Sequence, residues 1–234
     1  MAAPREVEVR LPFEGRWLVQ NSPARRVPSH GVDVFAERYA IDFVAVDDRR
    51  RTAAVRDWRT LLATEPPERF TGFGRPVLAP CAGTVADVHD GEPDHAGRRS
   101  QLALPPYALG QAGRLRQGLD AVAGNRMTIA LPGGGFVALA HLQRGSVQVR
   151  AGEDVAEGQA VARCGNSGNS TEPHLHVQAM DAADARAAQG LPLVFRSYLE
   201  QARGAREQVV RERGIPGEGA VVEPLPGRWS SAGE

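Results

Sequence analysis

From Pro76 to Asp181 the chain is a run of short β-type segments, cut at almost every corner by glycine or proline. VLAPCAGTVADVHDG (77–91), RMTIAL (126–131), FVALAHL (136–142), SVQV (146–149), EDVAEGQAVARCG (153–165) and PHLHVQAMD (173–181) follow in order, with turns such as Gly133-Gly134-Gly135 between them. Short strands joined by tight turns predict a mainly β fold, an antiparallel sheet or barrel-sandwich. A Pro- and Gly-rich stretch containing LALPPYALG interrupts the run. It reads as an insertion over 91–124, with one helical turn near 114–122.

The flanks extend this picture. Residues 5–20 alternate weakly and predict one or two edge strands. Residues 21–37 carry Pro23, Pro28 and Gly31 and read as a loop. YAIDFVAV (39–46) is a strong strand signal. Residues 49–75 are charged and broken by Pro66-Pro67, with a short helix expected around 52–64. Residues 195–213 have polar helical character, and the Gly- and Pro-rich remainder reads as a mobile tail. The expected organisation is therefore N-terminal strands over 1–28 and a principal domain over 29–195 with insertions at 47–75 and 91–124. A C-terminal helix over 196–213 and a flexible tail over 214–234 complete it.

Composition narrows the function classes. The 234 residues are 42% hydrophobic and 24% charged, as in globular proteins. Formal net charge is zero, so no global field steers the chain to nucleic acid. All 28 basic residues are arginine. Without a lysine, a biotinyl- or lipoyl-type carrier module is excluded. No apolar run approaches the roughly 18 residues of a membrane span. The first residues lack the apolar core of about 7–15 residues of a secretory signal, which predicts a cytosolic start unless an export leader has been removed. Cys81 and Cys164 are too few for a disulfide framework and read as buried thiols, or as a pair if the chain is exported.

The chemistry concentrates in GNSGNSTEPHLHVQAMD (165–181). On a strand, His174 and His176 point to one face with Cα atoms about 6.6 Å apart. On a helix they would diverge by about 200°. The strand geometry lets one imidazole bind a metal while the other reaches a metal-bound water; it also fits an ordinary exposed strand. Asp42 in YAIDFVAV is flanked by apolar residues, so its carboxylate must be paired, protonated or metal-bound. A salt bridge to Arg38 would suffice. His30 in PSHGVD is a loop histidine that could be a ligand or merely solvated; Asp33 is a rival carboxylate in a polar setting. His141 ends an apolar run and is expected half-buried at a strand terminus. His89 and His95 sit among acidic residues and glycine and read as surface loop residues.

Taken together, APCAGTV (79–85), LAHL (139–142), VAEGQAVARCGNSG (155–168) and GNSGNSTEPHLH (165–176) resemble the lysostaphin/LytM-type zinc metalloendopeptidases over roughly residues 29–180. The resemblance implies a duplicated hybrid motif fold with a groove and one zinc ion held by His30, Asp42 and His176. It implies catalytic roles for His141 and His174, and a peptide substrate such as a peptidoglycan cross-link. It also implies action at the cell wall. The commonest members pair the first ligands as His-x-x-x-Asp. Here Arg38 holds that position and His30 lies twelve residues before Asp42, so loop 31–38 must fold back. A catalytically inactive LytM-like regulatory module is the principal alternative. A sugar phosphotransfer carrier, which also uses paired histidines, would have no use for Asp42.

Overall fold

The computed structural model describes residues 6–100, 113 and 116–225. Among them are fourteen strands and two short α-helices. The strands are β1 Val7–Val9, β2 Trp17–Gln20, β3 Ile41–Ala45, β4 Pro76–Leu78, β5 Gly83–His89, β6 Asn125–Ala130 and β7 Phe136–Leu142. They continue with β8 Asp154–Val155, β9 Ala160–Arg163, β10 Leu175–Met180, β11 Gly190–Leu191, β12 Leu193–Gln201, β13 Val209–Gly214 and β14 Val221–Pro224. Helix α1 spans Trp58–Leu62 and helix α2 spans Leu119–Ala123.

One large sheet runs β1-β12-β14-β2-β3-β10-β7-β6-β5-β8, with β11 on β10 and β13 on β12; β4 and β9 form a separate pair. Pairing is antiparallel except between β1 and β12. One face of the central strands carries Ile41, Phe43, Leu139, Leu175 and Val177 into the main core, every one of them 0–1% exposed. Period-two alternation then sends Asp42, Ala138, Ala140, His176 and Gln178 to the other face. An aromatic chain ties the termini to the centre: Phe13 stacks on Trp17 at 4.5 Å, and Phe43 meets Phe13 at 5.0 Å and Phe195 at 5.4 Å. Cys81 and Cys164 are buried, as expected, and do not pair with each other. Burial pushes the Cys81 thiol up to about 12 and the Cys164 thiol up as well.

Four expectations are corrected. Residues 196–213 are not a helix: they belong to the hairpin β12–β13. Ser197 has φ +55°, which breaks the alternation. Phe195 and Tyr198 therefore share the core side at an i, i+3 spacing that imitates a helix. The stretch from residue 214 is not a flexible tail throughout, because β14 lies between β12 and β2 with Val221 and Val222 fully buried. Residues 226–234 lie outside the described residues. Of the one or two edge strands expected over 5–20, β1 lies at one end of the sheet and β2 is interior. SVQV forms no strand: Gln148 bonds the Val161 carbonyl at 2.8 Å, but no ladder develops. The helical turn expected near 114–122 is α2; part of the 91–124 insertion lies outside the described residues.

The hairpin predicts a contrast within one segment. Phe195→Ala should lower unfolding free energy by about 3–5 kcal/mol, whereas Val209→Ala on exposed β13 should change it by less than about 0.5 kcal/mol. Urea denaturation of both variants measures this.

Candidate metal centre

Strands β3 and β10 set Asp42 directly opposite His176 on the face away from the main core. Both residues are buried, at 4% and 5% exposure. The loop before β3 returns as required for His30: Ser29 N–H donates to the Arg38 carbonyl (3.1 Å) and Ser29 Oγ donates to the Glu37 carbonyl (3.2 Å). Phe35 and Ala36 take positive φ, at 50° and 62°, to make that turn. His30 Nε2 then lies 3.0 Å from Asp42 Oδ2, and His176 Nδ1 lies 2.9 Å from Asp42 Oδ1. One donor atom from each of the three falls within 4.8 Å of the others. Arg38 does not reach Asp42. It pairs with the rival carboxylate Asp33 at 2.6 Å, on the exposed surface.

The ring nitrogens turned away from Asp42 are tied down. His30 Nδ1 donates to Ser29 Oγ (3.0 Å), because that hydroxyl's own proton is given to Glu37. His176 Nε2 donates to Gln178 Oε1 (2.9 Å), whose amide is in turn anchored on the Phe35 carbonyl (2.9 Å). This leaves His30 Nε2 and His176 Nδ1 facing the carboxylate, each with a lone pair that a divalent cation could take in place of a proton. Two imidazoles and one carboxylate are a donor set suited to an open zinc site, so the residues fit the ion.

Electrostatics agree with a cation-accepting centre. Burial alone would raise the Asp42 carboxyl, but His30 and His174, with hydrogen bonds from His176 and His30, hold it well below the usual carboxylate range. Asn21 Nδ2 donates a further bond to Oδ2 at 2.7 Å. Burial alone would lower His176; the hydrogen bond to Asp42 and that carboxylate's charge push it up to about 9. Glu37 also borders the site, its carboxyl raised by burial against the opposing pull of His176 and His30.

His141 and His174 stand beside this trio with ring centroids 4.5 Å apart. His174 precedes β10 by one residue, and its Nε2 is 3.7 Å from Asp42 Oδ1. Its Nδ1 donates to the Glu172 carbonyl (2.8 Å) alongside Ser170 Oγ (2.9 Å). His141 is buried more deeply than expected, at 6% exposure. It is the extra residue of a β-bulge: Ala140 pairs with Arg126 and Leu142 with Asn125, and His141 has φ +59°. The bulge turns the imidazole out of the core face and toward the cavity beside His176. Its Nδ1 donates to the Ser167 carbonyl at 2.9 Å. Burial and the neighbouring His174 and His176 lower its proton affinity, so His141 is neutral.

The cavity has a volume of about 340 Å³. Leu119 and Ala123 of α2, Ala138, Ala140 and Met180 form its apolar side; Glu37 and Arg126 also border it. The 91–124 insertion thus contributes a wall, whereas 47–75 contributes no residue to this cavity. The loop at 165–170 is clamped from behind. His95 Nε2 donates to the Gly168 carbonyl (2.7 Å), and Asp94 Oδ1 accepts from Asn166 N–H (2.6 Å). His95 is therefore a half-buried clamp rather than a surface residue; His89 pairs with Glu92 at 3.1 Å. Asn21, Ser29, Glu37, Ser167 and Gln178 escaped the sequence reading. Gln178 alone carried a signal, since it shares a strand face with His176.

Two regions of sequence meet here, and the second is recognisable. Residues 108–188 match the model of peptidase family M23. His141, His174 and His176 fall inside the M23 segment, and His30 and Asp42 precede it. This match overlaps the C-terminal part of the resemblance read from the sequence. No curated protein matches the chain. Among solved structures, a mutant catalytic domain of the prophage-encoded M23 protein EnpA from Enterococcus faecalis is similar (TM-score 0.38, 16% identity, 65% of this chain, 73% of that one). So is the catalytic domain of lysostaphin from Staphylococcus simulans (0.36, 20%, 65% and 74%). The deep-sea M23 metalloprotease pseudoalterin spans more of the chain (0.43, 12%, 90% and 95%).

The loop that presents the Ser167 carbonyl depends on Gly168. Its φ is +71°, and an added Cβ would lie 2.5 Å from the Gly124 nitrogen and 2.6 Å from the Val122 oxygen. Gly168→Ala should lower unfolding free energy by about 1–3 kcal/mol, measured by urea denaturation.

Proposed function

We propose that the protein is a zinc metalloendopeptidase of the M23 type, with His30, Asp42 and His176 as metal ligands and His141 and His174 as catalytic residues. The observation that carries this reading is the convergence of the first three side chains around one point, with two further imidazoles next to it. Zinc bound there would lower the pKa of a coordinated water toward about 7 and polarise the scissile carbonyl.

The chain's own groups divide the remaining work. His174 turns Nε2 to the Asp42 side, because Nδ1–H is committed to Glu172. It is the group placed to accept the water's proton and return it to the leaving amine. His141 presents Nε2 in the same way, with Nδ1–H committed to Ser167. Neutral His141 orients the attacking water as an acceptor, and only a protonated His141 could donate to a developing oxyanion. The adjoining cavity, apolar on one side, would receive the residues flanking the scissile bond. Peptidoglycan cross-links or comparable short peptides are the proposed substrates, which would place the active protein at the cell wall.

Metal analysis and peptide cleavage test this together. Asp42→Ala and His176→Ala should lose bound zinc, which the wild-type chain should hold at about one ion per chain. His141→Ala and His174→Ala should retain zinc yet lose about 10²–10⁴-fold in turnover. Retention of both metal and activity in all four variants would overturn the assignment.

A further inference from the structure

Helix α1 is amphipathic in the inverted sense. Trp58, Leu61 and Leu62 occupy i, i+3 and i+4, one stripe of the helix, and are 60%, 65% and 61% exposed. The side turned to the protein carries Thr60, 7% exposed. Its hydroxyl donates to Glu65 Oε1 (3.2 Å) and accepts from Arg99 Nη2 (3.3 Å), while Asp57 caps the first turn. A polar network thus holds the helix from within, and the apolar stripe is presented outward. Helices on globular proteins ordinarily bury that stripe. Val55, 47% exposed, enlarges the patch.

Arginines surround it. Arg49, Arg56 and Arg59 are exposed, and Arg59 lies over the Trp58 ring at 5.4 Å. Arg50 donates to the Gly219 carbonyl (3.1 Å). Among the described residues none of these four lies within ion-pair distance of a carboxylate, whereas Arg51, Arg69 and Arg99 are paired with Asp47, Asp57 and Glu65. Beside the stripe lies a cavity of about 420 Å³ lined by Arg50, Arg51, Thr52, Arg56, Leu61 and Arg99.

We propose that α1 and this arginine-lined cavity form a docking surface for anionic phospholipid, independent of the peptidase reading. Leu61 belongs to both the apolar stripe and the cavity, so one ligand must satisfy hydrocarbon and anion together. A phospholipid bilayer does so: the stripe enters the headgroup–acyl boundary and the arginines hold phosphates. Trp58 is the residue type that settles at such an interface. A soluble polyanion would use the arginines and leave Leu61 and Leu62 unexplained. The chain's zero net charge makes the attraction local, confined to about a Debye length from the arginines. No helix among the described residues is long and apolar enough to span a membrane; the proposed contact is with the bilayer surface.

Co-sedimentation of the full chain with vesicles tests this, using phosphatidylcholine alone and with added phosphatidylglycerol. Binding should require the anionic lipid and fall with salt. The double variant Arg50→Gln/Arg56→Gln should weaken partitioning by about fivefold per arginine. Leu61→Ser/Leu62→Ser should weaken it more than about tenfold without moving the melting midpoint, since both side chains are exposed. Inorganic phosphate at millimolar concentration should compete weakly. Three results would overturn the proposal: no binding to anionic vesicles, binding indifferent to Leu61 and Leu62, or full competition by free phosphate. The first would leave the stripe to a protein partner, and the last two would reduce the cavity to a simple anion pocket.

Discussion

The structure turns on a carboxylate buried in the middle of a sheet. Asp42 sits on β3 with strands on both sides, and an isolated ion there would be several kcal/mol unfavourable. The register supplies the first remedy by setting His176 opposite on β10, and the end of β2 supplies the second through Asn21. The third, His30, comes from a loop that must double back to reach it. Once Asp42 is placed, the folding of residues 21–40 is constrained by the need to bring positive charge or a donor to its Oδ2 atom.

The histidines are held as a set. Four imidazoles from three segments of the chain each give their outward N–H to a fixed acceptor: Ser29 Oγ, the Ser167 carbonyl, the Glu172 carbonyl and Gln178 Oε1. Their other nitrogens therefore face one another across the site. The bulge at His141 serves the same end, since strict alternation would have driven that ring into the core between Leu139 and Leu142. A positive φ at a non-glycine residue is strained, and here the strain coincides with the re-aiming of a site residue.

Much of this was legible in the sequence, for physical reasons. Asp42 and His176 were visible because strand alternation assigns faces without knowledge of the partner strand. His174 followed from its spacing. The burial of Cys81 and Cys164 and the β character of 126–142 were also accessible. Other features depended on contacts that no local pattern encodes. Ser197 in a left-handed conformation made a strand look helical and hid β12 and β13, while the glycines and prolines from Gly214 onward hid β14. The bulge at His141, the clamp from His95 and the anchoring of Gln178 arise from pairing between distant segments. The reach of His30 depended on positive φ at Phe35 and Ala36 as well as at Gly31.

The central claim is that His30 Nε2, the Asp42 carboxylate and His176 Nδ1 close on one divalent cation. Crystals grown with zinc and measured at its absorption edge address it directly. The account predicts one anomalous peak at about 2.0–2.2 Å from those atoms, with solvent in a remaining position. A peak held by other residues, or none at these three in zinc-loaded crystals, would contradict it.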